Sequence, residues 1–248
     1  MKEKITAVYS SDPISQSLDL YLPDTDTFPV FVYFHGGGLE NGKKENVENF
    51  MPTLLARGVA LVSVDYRMYP SAHYPDFIED AAAAVAWVKH NIGAYGNCTG
   101  IYAGGSSAGG YLSMMLCFDG RWLGAHGIDP TELSGWVHDA GQPTAHFNVL
   151  RERGEDFRRI IVDESAPLYH IGRAQTYSPM RFLVSDRDMH GRYEQTMVVL
   201  QTLAHFGFSE DIVSHRVMHG THCHYVNRLD EQGVDVFGNL ICDFILRK

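Results

Sequence analysis

Cysteine is scarce in this chain. Cys98, Cys117, Cys223 and Cys242 lie far apart, with no CxxC or other ligand spacing between them. A chain of 248 residues does not need disulfide staples, so reduced thiols and a cytoplasmic setting are expected. Basic residues are outnumbered, 20 Lys and Arg against 30 Asp and Glu, for a formal charge of −10. No Lys/Arg run interrupts that balance, so polyanions are repelled on average and nucleic acid is not an expected partner. No apolar window approaches the ~20 residues of a membrane span, which argues against a membrane partner. The stretch Met1-Lys-Glu-Lys-Ile-Thr-Ala carries charge with no apolar run behind it, so no secretory signal is expected. Internal repeats, low-complexity tracts and Pro/Gly/Ser-rich linkers are also missing, which favours a single domain over residues 1–248.

What is there is core-forming material: 45% of residues are apolar and 20% charged, a balance that disfavours disorder. Segments rich in β-branched and aromatic residues recur at Leu18–Leu22, Val30–Phe34, Ala60–Asp65, Thr99–Ala103, Gly135–Asp139, Met180–Ser185 and Ile212–Met218. Several are apolar nearly throughout, as strands buried on both faces are. Between them the period changes. In Asp76–Ile92 the residues Phe77, Ala81, Ala84, Val88 and Ile92 form a helical stripe, and Asp76 with Glu79 predicts a capping box. A second stripe, Tyr193, Met197, Leu200 and Ala204, predicts a helix over His190–Phe206 that stops at Gly207. This alternation is that of an α/β protein with a mostly parallel sheet covered by helices. Residues 141–177 fit it least well; their charged run Arg151-Glu-Arg-Gly-Glu-Asp-Phe-Arg-Arg159 predicts a small helical insertion, either a solvated surface segment or a lid.

The segment Ala103-Gly-Gly-Ser-Ser-Ala-Gly-Gly110 follows a strand and opens a helical run. Strand, sharp turn and helix are what a nucleophile elbow requires, with the serine held in a strained conformation at the turn. Glycines two residues either side, Gly105 and Gly109, select Ser107 over Ser106, whose frame is Gly104 and Ala108. An ordinary glycine-rich turn, including one that cradles phosphate, is the plainer alternative. A second element argues against it. Val30–Phe34 runs into His35-Gly-Gly-Gly38, where missing side chains let backbone N–H groups face a substrate oxygen. The N–H groups of Gly37, Gly38 and Ala108 are the expected oxyanion hole, and donors of this kind contribute about 3 kcal/mol each. His35 is expected to orient the loop rather than to react.

A serine hydroxyl is a weak nucleophile, so a base and a carboxylate that orients it must follow. The strand Met180–Ser185 delivers Asp186-Arg-Asp188, and Ile212–Met218 delivers His219-Gly-Thr-His222-Cys-His224, each at a C-terminal strand end, where open α/β sheets bind ligands. Asp188 is preferred as the acid, with Asp186 as rival, because either could instead cap the next helix. His222 is preferred as the base, with His224 as rival. The histidines His215, His219, His222 and His224 also invite a zinc reading, but no carboxylate sits among them and the spacing is not that of a helical HExxH pair, so no metal is expected.

With these residues placed, the chain resembles the serine esterases of the α/β-hydrolase superfamily, both the hormone-sensitive-lipase-like carboxylesterases and the compact acetyl, feruloyl and cinnamoyl esterases. The resemblance runs from Leu18 to the C-terminus through Leu18-Asp-Leu-Tyr-Leu-Pro23, His35-Gly-Gly-Gly38, Asp65-Tyr-Arg-Met-Tyr-Pro70, Glu79-Asp-Ala-Ala-Ala-Ala-Val-Ala-Trp87, Gly105-Ser-Ser-Ala-Gly109 and the late Asp and His. It implies an α/β-hydrolase fold and a carboxylic ester hydrolase with the triad Ser107, Asp188 and His222. No cofactor is implied, and the partner would be a small-molecule ester with a small or aromatic acyl group. Two departures stand out. Ser106 occupies the place before the nucleophile where hormone-sensitive-lipase-like members usually carry an acid, and the long N-terminal cap segment of that group is missing. An amidase, formamidase or peptidase would use the same triad, and a non-catalytic small-molecule-binding protein could share the fold. The oligomeric state stays open.

Overall fold

The computed structural model describes residues 4–247; the first three residues of the charged N-terminal stretch lie outside them. Eight strands form one sheet: β1 (Ile5–Val8), β2 (Ser17–Tyr21), β3 (Thr27–Phe34), β4 (Ala60–Val64), β5 (Asn97–Ser106), β6 (Gly135–Asp139), β7 (Met180–Arg187) and β8 (Val213–Thr221). The spatial order is β1-β2-β4-β3-β5-β6-β7-β8. β1 and β2 pair antiparallel, as do β2 and β4, and from β4 onward every pairing is parallel. The helices are α1 (Met51–Ala56), α2 (Asp76–Asn91), α3 (Ala108–Phe118), α4 (Arg121–Gly124), α5 (Phe147–Glu152), α6 (Pro167–His170), α7 (Arg192–His205) and α8 (Val236–Ile245). This is the α/β-hydrolase architecture.

The two-residue period of a strand sends alternate side chains into two cores. Along β3, Val30, Val32 and Phe34 join the core built with α2, α3 and α7, while Phe31 and Tyr33 join the one built with α1 and α8. β2, β4 and β6 are buried throughout, which fits their mostly apolar character, although Asp19, Ser63, His138 and Asp139 are buried among them. Each fully buried aliphatic side chain here contributes ~1.5–3 kcal/mol relative to exposure.

Four local details differ from the sequence expectation. β1 has no counterpart among the predicted strands, because its four residues alternate between half-buried and exposed and it is held by pairing to β2. The predicted capping box of α2 does not form. Pro75 is the N-cap residue, without a side-chain hydrogen bond, and Asp76 instead accepts from the His73 N–H at 2.9 Å. α7 begins at Arg192 rather than His190, because Gly191 takes a left-handed conformation with φ of 77° just before it. Neither Asp186 nor Asp188 caps it. The segment 141–177 contributes α5 and α6 and divides in two: its opening residues Ala145, Val149 and Leu150 are buried, whereas the charged residues 151–159 are exposed to solvent as a surface segment.

Candidate active site

The chain passes from β3 to β4 on one side and then returns to β5 on the other. The carboxyl ends of β3 and β5 therefore meet where the strand order reverses, the place where α/β sheets open a crevice. Phe34 at the end of β3 is in register with Gly105, so the His35-Gly-Gly-Gly38 loop and the turn after β5 lie side by side.

Ser107 occupies that turn with φ of 55° and ψ of −111°, a strained backbone for a residue bearing a Cβ. Two hydrogen bonds anchor it: its N–H donates to the Asp139 carbonyl at 2.8 Å, and its own carbonyl accepts from Tyr111 N–H at 3.0 Å. The flanking glycines are sterically required. A Cβ on Gly109 would lie 1.9 Å from the Phe34 carbonyl oxygen, and one on Gly105 would lie 2.5 Å from the same atom.

Three elements deliver the predicted trio to one point. Ser107 Oγ donates to His222 Nε2 at 2.8 Å, and His222 Nδ1 donates to Asp188 Oδ1 at 2.5 Å. The Asp188 side chain is fully buried while His222 keeps 22% of its surface exposed. Burial alone would push the Asp188 carboxyl up, but the hydrogen bond and charge of His222 and the N–H groups of Met189 and Ser185 hold it below the usual carboxylate range. It stays ionised. Ser106 is buried beneath the turn, and no hydrogen bond joins it to His222 among the described residues.

The rivals go elsewhere. Asp186 accepts from His219 Nδ1 at 2.6 Å and from Gly220 N–H at 2.9 Å, and these bonds lower its carboxyl below the usual range. The result is a second, exposed Asp–His pair beside the buried one. His224 turns back to the Thr221 carbonyl at 2.9 Å and packs over Gly220, where an added Cβ would meet its ring. His215 is exposed on the edge strand β8. Among the described residues no three His, Cys, Asp or Glu side chains converge in a way that could hold a metal ion.

Gly37 and Gly38 have φ of 122° and 68°, conformations that favour glycine. A Cβ on Gly37 would overlap the Asn41 carbonyl at 1.9 Å. Ala108 is the first residue of α3, so its N–H has no acceptor within the helix. His35 braces the loop: Nδ1 donates to the Gly36 carbonyl at 2.7 Å, and the ring stacks on Tyr66 at 4.5 Å. Tyr66 in turn donates to the His35 carbonyl at 2.8 Å. Burial lowers the His35 pKa, which keeps the ring neutral and fit for this role.

Some neighbours were not foreseen from the sequence. Asn148 Nδ2 donates to the Gly38 carbonyl at 2.5 Å, and the Phe147 ring would lie 3.1 Å from a Cβ on Gly38. Both come from α5, in the segment with the weakest pattern, and no sequence signal marks them. Asp139 lies behind the elbow, fully buried, accepting from Tyr225 Oη at 2.5 Å, and burial raises its carboxyl to about 6. Ser107, His222, Gly37, Gly38, Phe147 and Met189 line a common cleft of about 650 Å³.

Comparison with known proteins agrees with this architecture. Residues 18–124 match the family model described as BD-FAE. The tuliposide A-converting enzyme b1 (amyloplastic) of Tulipa gesneriana is 38% identical over 114 residues, covering 39% of this chain and 30% of that protein. The carboxylesterase NlhH of Mycobacterium tuberculosis is 38% identical over 104 residues, covering 40% and 32%. The matched segment thus spans about a third of these relatives' own length. Among solved structures, esterase 2 of Thermogutta terrifontis superimposes with a TM-score of 0.80 at 20% identity, over 99% of this chain and 95% of that one. Esterase B of Lactobacillus Rhamnosis does so with 0.76 at 18%, over 98% and 85%. The chain is an α/β-hydrolase by fold, and its N-terminal half, residues 18–124, carries the sequence match to BD-FAE.

Proposed function

We propose that this protein hydrolyses carboxylic esters of small or aromatic acyl groups through an acyl-enzyme on Ser107. The single observation that carries the reading is the continuous relay from Ser107 through His222 to the buried Asp188. His222 takes the hydroxyl proton as Ser107 Oγ attacks the ester carbonyl, and Asp188 stabilises the resulting imidazolium. The N–H groups of Gly37, Gly38 and Ala108 receive the charge that develops on the carbonyl oxygen. His222 then protonates the departing alcohol, and water repeats the sequence on the acyl-enzyme. Relatives and structural neighbours named as carboxylesterase and esterases support the class. All four cysteines are free, which suits a reducing compartment such as the cytoplasm. No helix of the described residues is long and apolar enough to cross a membrane.

Labelling with a fluorophosphonate followed by peptide mapping tests class and nucleophile together. The adduct is expected on Ser107, and p-nitrophenyl butyrate should be cleaved far faster than the palmitate. An adduct on Ser106, or no adduct and no turnover, overturns the reading.

A further inference from the structure

A second cavity of about 340 Å³ adjoins the cleft that holds Ser107, and Phe147 and Met189 line both. Its wall carries Arg151, Arg158, Arg159 and Arg192 and, among the described residues, no Asp or Glu. In a chain of net charge −10, four guanidinium groups around one cavity are a marked local reversal of sign.

The four are not equivalent. Arg158 is tied to Asp156 at 2.6 Å and Arg159 to Glu155, so their charge is largely compensated nearby. Arg151 donates to Asn148 Oδ1 at 2.8 Å, reaches Glu40 only at 3.7 Å, and lies over the Phe147 and Phe157 rings at 5.4 and 4.7 Å. Arg192 is the unusual one. It is 6% exposed, donates to the Ala140 carbonyl at 2.7 Å and to Gln142 Oε1 at 3.3 Å, and has no ion-paired carboxylate among the described residues. A guanidinium carries five N–H donors, and burying its charge unpaired is costly. Burial indeed pulls its pKa down to about 10, against the opposing pull of Asp188. A planar anion in the cavity would supply the missing partner in the geometry guanidinium groups favour, while Phe147, Phe157 and Met189 would cover an apolar stem.

We propose that this cavity binds a carboxylate at the end of one arm of the ester, so that the substrates are acidic esters with a short aliphatic or aryl stem between the scissile bond and the negative charge. The proposal deepens the hydrolase reading and rests on it. The alternative is that Arg192 only ties the end of β6 to α7, in which case its loss would weaken all substrates alike.

The test uses matched pairs. On the acyl arm, the p-nitrophenyl monoester of glutarate is compared with p-nitrophenyl valerate; on the alcohol arm, 4-acetoxyphenylacetate is compared with 4-methylphenyl acetate. The anionic member of at least one pair should have a kcat/KM about tenfold or more above its neutral partner, since a charge-assisted pair is worth roughly that or more. That ratio should fall about tenfold in Arg192→Gln and in the exposed-site variant Arg151→Gln, and should shrink in 0.5 M salt as ~4 Å screening sets in. Neutral esters preferred on both arms, or ratios unchanged by both substitutions, overturn the proposal while leaving the esterase reading intact. If no ester is turned over and Ser107 takes no label, the esterase reading fails instead. Glutarate binding to Ser107→Ala protein by calorimetry then decides the cavity by itself: binding lost in Arg151→Gln supports it, and no binding overturns it.

Discussion

Asp186 and Asp188 leave the same strand end two positions apart, yet they sit in different physical settings. Asp186 is 37% exposed and its partner His219 is 84% exposed, so their pairing is screened and contributes little. Asp188 is buried and points at the histidine that reaches Ser107. Asp188→Asn is therefore expected to lower kcat by ~10⁴, the effect of presenting the wrong tautomer in a related geometry, whereas Asp186→Asn should change it by no more than about threefold. Stopped assays on both variants, with circular dichroism to confirm folding, decide this; a silenced Asp186→Asn would move the acid. Asp139 gives a pH dependence of a different kind. Burial raises its folded pKa to about 6 from an ordinary value of 3.8, so its contribution to stability is full below the ordinary value and is lost as pH rises through about 6. The cost of ionising it in place is about 3 kcal/mol. Asp139→Asn removes that cost and can still accept from Tyr225. Urea unfolding should show the variant gaining on the wild-type protein by up to about 3 kcal/mol between pH 4 and pH 7, and a constant difference across that range would contradict the assignment.

At the scale of elements, the unit that matters is β5, the turn at Ser107 and α3, wedged against the end of β3. The helix can approach because Gly109 presents no side chain to Phe34. In Gly109→Ala, the added methyl would lie 1.9 Å from a backbone oxygen, and neither strand nor helix can yield without moving the elbow. A loss of about 2–3 kcal/mol and most of the activity is expected. Gly124, at the end of α4, is the counterpart: nothing lies within 4 Å of a Cβ there and no positive φ demands glycine. Gly124→Ala should stabilise by ~0.4–1 kcal/mol through the unfolded chain. Thermal melts of the two variants should move in opposite directions, and a neutral Gly109→Ala would show that the close approach is not needed.

Across the whole molecule, one buried carboxylate joins regions distant in sequence. Asp80 of α2 accepts from Arg67 Nε and Nη2, each at 2.8 Å, from the Arg67 N–H at 2.9 Å and from Gln16 Nε2 at 2.6 Å, tying the chain before β2, the loop after β4 and the long helix together. Asp80→Ala leaves those donors without their acceptor and should cost on the order of 3 kcal/mol, read as a lower urea midpoint; an unchanged midpoint would make the cluster dispensable. Asp80 lies within the Glu79-to-Trp87 run, but nothing in that run tells which donors it meets. The sequence by itself determined what depends on neighbours along the chain. Strand and helix periods, the glycine frame that distinguishes Ser107 from Ser106, and the strand-end placement of Asp188 and His222 are all local. β1 was not legible because four alternating residues carry too little pattern without a partner strand. The capping box expected for α2 is absent because the N-cap position is occupied by Pro75, which has no side-chain hydrogen bond to offer. Only the tertiary structure decided which carboxylate meets which histidine, since Asp186 and Asp188 differ by the register of β7 against β8, where the strand pairing shifts between Ser185 and Arg187. It also decided what faces the cleft from residues 141–177. Phe147 of α5 lines it, and with Arg151 of the same helix and Arg192 of α7 it also lines the adjoining cavity, a long-range arrangement that leaves no period in the chain.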